Sequence, residues 1–371
     1  MAGAGGAIPA VVFVPPAGRT PAERWMAAAR TAAAADLVER LAAAGCAAVY
    51  VAAADPADGE GLASLGATLL PTEAEPFHFG RALASVIEAR GLDALAYFGA
   101  ASAPLATAER LSDWLRRGRE LPRNAALVNN LHSTDFAIVR DARQILPLAD
   151  RLPTDNPLGW VLREQGGAVV EALPPAAATR ADFDTPADLA MLAGHPDLGP
   201  NLRRALEPLP ESLGRRAAAL GELLRTPAAS LALIGRVSEA AWGEAVRRSQ
   251  TWIRVYAEER GMRASGRLAR GEVRSLIGEL VGRDGAPAFV ERLATMVQGA
   301  IWDTRVWMAL RGPWPSAADR MAADLGRVED VKDVALRGLT QAVVEARIPI
   351  LTGGQGVVAG CLMALVETLL P

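Results

Sequence analysis

Lysine is almost missing from this chain. It occurs once, at Lys332, and the other 38 of the 39 basic residues are arginine. A GC-rich coding sequence produces that bias, so an arginine here is not functional merely for being one. Cysteine is scarce too. Cys46 and Cys361 stand far apart, which excludes a disulfide-rich fold and a cysteine-built zinc site. Three histidines, His78, His132 and His195, make no histidine metal centre unless all of them converge. Long apolar runs are absent as well. The longest, Val357 to Val366, is well short of the roughly 18–20 residues of a spanning helix, so a buried helix is expected and no membrane partner. The first ten residues lack the basic stretch of a secretory signal, and a soluble cytoplasmic protein is expected. A formal net charge of -3 argues against a large nucleic-acid-gripping surface.

What is present is a globular composition. Of 371 residues, 51% are hydrophobic and 22% charged, enough for two domains with a core each. The first 190 residues alternate short apolar runs with helical patterns. Val11 to Val14, Ala47 to Ala53, Leu95 to Phe98, Ala125 to Asn129, Phe136 to Val139 and Ala168 to Leu173 read as strands. Between them, residues from about 21 to 44, 79 to 90 and 107 to 117 read as helices, with Pro21 suited to a first turn. Such alternation predicts an α/β domain, a mostly parallel sheet with helices on both faces. After His195 the pattern turns to a period of 3.6; Phe289, Leu293, Met296 and Ala300 recur at helical spacing. An all-α second domain is therefore expected. The boundary is placed between residues 195 and 196, near the likeliest junction at Gly194 to Pro200, with His195 before Pro196 as a linker residue.

The segment Asp182-Phe183-Asp184-Thr185-Pro186-Ala187-Asp188-Leu189 resembles the closing Asp-Ile-Asp-Thr-Pro-x-Asp-Leu motif of small nucleotidyltransferases. These include the molybdenum-cofactor guanylyl- and cytidylyltransferases and the phospholactate guanylyltransferases. Ser102-Ala103-Pro104-Leu105-Ala106-Thr107 resembles the family's Asp-x-Pro-Leu-x-Thr turn, and Asn129 to Val139 sits where those proteins return along the sheet. The resemblance covers roughly residues 8 to 192. It implies a nucleotide-diphospho-sugar-transferase-like fold that binds a nucleotide and transfers it to a phosphorylated small-molecule acceptor. It implies Mg²⁺ as cofactor, since a divalent ion neutralises phosphate charge. Asp182 would hold the metal, and Ser102 stands where the family has its other metal-binding aspartate. Gly18, Arg19 and Arg24 would meet the phosphates; Asn129, Asn130 and His132 would contact base or acceptor. The chain departs from the pattern in two places. A serine hydroxyl brings no charge to a metal, and the prolines of the first loop remove N–H groups that could face a phosphate. These departures raise the alternative of a catalytically degenerate binding or assembly module. A homo-oligomer is compatible with either.

The remaining candidates are local. Asp184 or Thr185 would cap the helix that Pro186 opens. Arg260, Arg263 and Arg267 lie in a glycine-broken polar stretch from Glu258 to Arg274; a phosphate or carboxylate site would use arginine this way, although such a run is usually a solvated helix face. Asp303, Arg305, Asp319, Arg320 and Asp324, flanked by tryptophans, read as buried pairs locking helices together. The turn Thr352-Gly353-Gly354-Gln355-Gly356 follows an apolar run and precedes an apolar helix. It matches neither common phosphate-binding glycine pattern and is open to either ligand binding or close packing.

Overall fold

The computed structural model describes residues 6–72 and 77–370. Eleven strands appear in chain order among them: β1 Ala10–Val14, β2 Val49–Ala53, β3 Thr68–Pro71, β4 Leu95–Gly99, β5 Ala125–Val128, β6 Phe136–Val139, β7 Val169–Ala172, β8 Ser230–Gly235, β9 Trp252–Ala257, β10 Gly299–Asp303 and β11 Ile350–Gly353. They form two sheets, one of seven strands and one of four. No described helix is long and apolar enough to cross a membrane.

The chain divides into two compact units, and each exchanges short segments along the sequence. One unit holds the residues up to Ala17, Ala27–Arg180 and Gly199–Ala205. The other holds Gly18–Met26, Ala181–Leu198 and Leu206 onward. The closing motif thus falls in the second unit.

The first unit is α/β, with strand order β3-β2-β1-β4-β6-β5-β7. Every pairing is parallel except the two made by β6, which runs against both β4 and β5. All five residues of β1 are buried, as a strand covered on both faces requires. Val11, Phe13, Tyr97 and Val139 share a core with Phe79, Leu83 and Val86 of the helix Phe79–Arg90. On the opposite face, Phe136 stacks between Phe98 and Trp114. There Gly118 of the helix Ala108–Glu120 lies so close to Ile138 that a Cβ would meet its Cγ2 at 2.4 Å. The strand β3 has no counterpart in the sequence reading. It is four residues long, and its burial pattern, with one fully buried position, gives little periodicity to find.

The second unit corrects the expectation of an all-α domain. It is rich in helix, but the helices surround a fully parallel sheet of order β11-β10-β8-β9. Ala232, Ile234, Ala300, Trp302 and Ile350 share one core with Phe289, Leu293 and Leu336. On the other face the helix Glu211–Arg225 covers β10, where a Cβ at Gly299 would strike Leu223 and Leu220. Residues 231–235 and Ile350–Gly353 are buried on both faces. A short, uncharged run of this kind has no period of two, and periodicity alone cannot tell it from a helix segment. Ala300, read as a helical position, lies in β10, beyond the helix Ala286–Met296. His195 is also corrected: it is buried in the second unit, with Nε2 3.7 Å from Glu367 Oε2.

Candidate functional sites at the two sheet edges

In an open parallel sheet, ligands bind outside the carboxyl ends of the strands, where the strand order reverses. In the first unit that point lies between β1 and β4. The turn after β4 is built with care. Ala103 sits at φ 50°, a left-handed conformation that costs a non-glycine residue about 1 kcal/mol or more. Arg40 holds the turn by donating from Nη1 to the carbonyls of Pro104 (3.1 Å) and Ala106 (3.0 Å), and Arg110 donates to the carbonyl of Leu105 (3.2 Å). Ser102 is buried here, and its hydroxyl donates to the carbonyl of Gly99 at 2.7 Å.

The Asn129–Asp135 run lies at the same edge and is largely tied to itself. Asn129 Oδ1 accepts from the backbone N–H groups of Asp135 (2.9 Å) and Phe136 (3.3 Å). Its Nδ2 donates to Asp135 Oδ2 (2.8 Å) and to the carbonyl of Thr179 (3.2 Å). The side chain therefore clasps the β5–β6 hairpin. Asn130 Oδ1 accepts from the N–H of His132 at 3.2 Å, an Asx turn, while the His132 side chain is exposed.

Gly18, Arg19, Arg24 and Asp182 all belong to the second unit, whereas Ser102, Asn129, Asn130 and His132 belong to the first. Arg24 Nη1 donates to the carbonyl of Arg19 at 2.6 Å. Gly18 is needed for space, since a Cβ there would meet the Cβ of Glu23 at 2.0 Å. The helix Pro21–Ala43 is closed at its start by a reciprocal box. The N–H of Thr20 donates to Glu23 Oε2 (2.8 Å), and the N–H of Glu23 donates to Thr20 Oγ1 (3.3 Å). Those hydrogen bonds hold the Glu23 carboxyl below its ordinary pKa.

The closing motif caps a helix, as one reading of it proposed. Thr185 is the capping residue of Pro186–Leu192, with Asp188 as its reciprocal partner. Asp188 Oδ2 accepts from the N–H groups of Asp184 (3.0 Å) and Thr185 (2.8 Å) and from Thr185 Oγ1 (2.8 Å). Its Oδ1 is buried without a hydrogen-bond partner. Burial pushes this carboxyl up to about 7. Gly353 and Gly356 make room for the motif. A Cβ at Gly356 would meet Asp188 Oδ1 at 2.4 Å, and one at Gly353 would lie 3.2 Å from Thr185 Oγ1. The glycines of this turn thus serve close packing against Thr185 and Asp188.

The carboxyl edge of the second sheet collects most of the charged residues singled out in the sequence. Gly235 ends β8 at φ 105°, where a side chain would strike Asp303 at 2.7 Å. Next to it Arg236 makes a two-pronged pair with Asp303, at 2.6 and 3.1 Å. Arg305, just after β10, makes another with Asp324, and both are buried. Burial opposes the Arg305 charge, yet Asp324 and the neighbouring carboxylates raise its pKa. Asp319 accepts from the N–H of Lys332 at 2.7 Å. Of the charged group expected to pair internally, only Arg305 and Asp324 do so among the described residues; Asp303 goes to Arg236, Asp319 to a backbone N–H, and Arg320 to the indole of Trp314.

The long segment after β9 divides the expected arginine trio. Arg267 is bound to Glu259 Oε2 (3.0 Å from Nε, 2.9 Å from Nη2) and to the carbonyl of Arg260 (3.1 Å). Glu258 accepts from Ser275 and from the N–H of Leu276, closing the start of the helix Leu276–Asp284. Arg263 instead lies over the indole of Trp314, 5.7 Å from Cζ to the ring centre, and Arg320 lies over the same ring at 5.3 Å. The sequence signal for that partnership was weak: the two arginines are far apart in the chain, and only the tryptophan-flanked charge group hinted at it.

No three histidine, cysteine, aspartate or glutamate side chains gather as a metal-holding group among the described residues. The Ser102 hydroxyl donates to the carbonyl of Gly99 and brings no charge of its own to this turn. Cys46 and Cys361 are free thiols; burial pushes Cys46 up to about 12 and holds Cys361 well above the ordinary thiol range, so neither is a ready nucleophile.

No family model matches this chain, and no curated protein does. Among solved structures it is similar to a cytidylyltransferase from Leptospira borgpetersenii serovar Hardjo-bovis, at 13% identity over 46% of this chain and 76% of that one, with a TM-score of 0.34. It is also similar to a CMP:2-keto-3-deoxy-manno-octonic acid synthetase complexed with CTP, at 14% identity over 45% and 89% of the two chains, with a TM-score of 0.32.

Proposed function

We propose that this is a nucleotidyltransferase-like protein whose first unit binds a nucleotide at the carboxyl edge of its sheet, for transfer to a phosphorylated small-molecule acceptor. The observation that carries the reading is the turn after β4. It sits at the strand-order reversal, holds a left-handed alanine and has three carbonyls tied down by Arg40 and Arg110. A strained turn fixed by its surroundings is what a pre-organised ligand edge requires. His132, exposed beside the β5–β6 clasp, is the candidate contact to base or acceptor.

A second reading rests on Ser102. Its hydroxyl is turned to the backbone, and the charge a metal would need at this turn is missing. On that reading the unit keeps the fold as a binding module without the reaction.

Thermal-shift titration of the full chain with each nucleoside triphosphate, with and without Mg²⁺, tests the first reading; stabilisation by at least one is expected. No shift with any of them removes it. The variant Ser102→Asp probes the second reading. Gain of metal-dependent nucleotide binding marks a site that lost its reaction, and no gain leaves the binding module ahead.

A further inference from the structure

We propose that the carboxyl edge of the second sheet is a site for a phosphate-bearing small molecule, gripped by Arg263 and Arg320 against Trp314. The inference is independent of the nucleotide reading and holds even if the first unit is inert.

The argument begins with charge. Four guanidinium groups belong to this neighbourhood: Arg236, Arg263, Arg305 and Arg320. Two have their carboxylates, Arg236 with Asp303 and Arg305 with Asp324. Among the described residues neither Arg263 nor Arg320 has a carboxylate within ion-pair distance. Asp324 and Glu23 act on Arg320 only at longer range. Both guanidiniums nevertheless lie on one indole ring. Like charges are not gathered in this way without cost, and a dianion between them removes the repulsion.

Burial supports the same conclusion. Arg320 is half-buried, and its burial, with the charges of Arg305 and Arg263, lowers its pKa. Its Nη1 donates to the carbonyl of Pro315, which fixes the direction of the guanidinium and leaves its other N–H groups for a ligand. Arg263 is exposed and reaches the ring from the segment after β9. A phosphate has the oxygens to meet more than one guanidinium, and charge-assisted contacts from two of them favour it over a monoanion.

The surrounding framework is built rather than incidental. Arg305 lies two residues past the end of β10 and Gly354 follows β11, at the edge where a parallel sheet of order β11-β10-β8-β9 reverses between β10 and β8. Met262, next to Arg263, is buried with Val273 and Val306, and Trp314 packs against that cluster. The arginine-bearing segment is thereby anchored beside the ring.

Isothermal titration calorimetry of the full chain with inorganic phosphate at constant ionic strength tests the site. One saturable site is expected. Arg263→Ala, an exposed position, weakens binding about tenfold or more, the worth of a charge-assisted contact. Arg320→Lys keeps the charge and loses the fork, and it also weakens binding. Arg270→Ala, a surface arginine paired with Glu272, leaves it unchanged. Absence of saturable phosphate binding overturns the proposal. So does equal binding by Arg263→Ala and Arg320→Lys, or acetate competing as well as phosphate. Loss of every nucleotide effect with phosphate binding intact would remove the first-unit reading and leave this one standing.

Discussion

The two sheets end in opposite ways. At the carboxyl edge of the first, the buried polar side chains satisfy one another: Asn129 clasps Asp135, and Ser102 turns back on Gly99. At the edge of the second, the carboxylates are consumed by Arg236 and Arg305, and positive charge is left over on Trp314. Polar residues at a strand end therefore do not by themselves mark a ligand site. What separates a structural edge from a receptive one is whether the donors and acceptors balance.

The comparison is most exposed to Arg305→Ala. This change leaves Asp324 buried without its partner and is expected to cost about 3–5 kcal/mol, read by chemical denaturation. A loss below about 1 kcal/mol would mean that the pair is not what locks the second edge. Asp188 offers a sharper test because its effect depends on pH. Its folded-state pKa is raised to about 7 from an ordinary 3.8, so between those values the folded chain holds a proton that the unfolded chain has released. Stability from this group is therefore lost as pH rises through that window and is flat above it. Asp188→Asn should gain on wild type by on the order of 4 kcal/mol between pH 4 and pH 8. A gap that does not change with pH would place the ionised carboxylate, not the neutral acid, in the native state. The smallest effect falls on the first edge. Asn129→Ala strands the N–H groups of Asp135 and Phe136 and the carbonyl of Thr179, for about 1–3 kcal/mol. If that variant instead abolished nucleotide binding at unchanged stability, Asn129 would be a ligand contact and the contrast between the edges would fail.

The first unit was largely legible in the sequence, and the second was not. Phe79–Arg90 and Phe136–Val139 were bounded correctly because glycine and polar residues punctuate them. Three of the four parallel strands of the second sheet, β8, β10 and β11, are buried on both faces and carry no alternation, so helical spacing in their neighbours absorbed them. The capping role of Thr185 was visible from Pro186 behind it. Its setting in the second unit was not, because that depends on Gly353 and Gly356 far along the chain. Of the arginine trio after β9, spacing could not say that Glu259 takes Arg267 while Arg263 goes to Trp314.

The box formed by Thr20 and Glu23 bears on the fate of the first loop. A helix start normally offers its N–H groups to whatever anion arrives. Here the anion is already part of the chain. Glu23 sits three residues from its partner, so its carboxylate competes for the N–H of Thr20 at an effective concentration that a dissolved metabolite does not reach. An incoming phosphate would have to win that intramolecular competition first, and Glu23→Gln is the one-atom change that would weaken the incumbent.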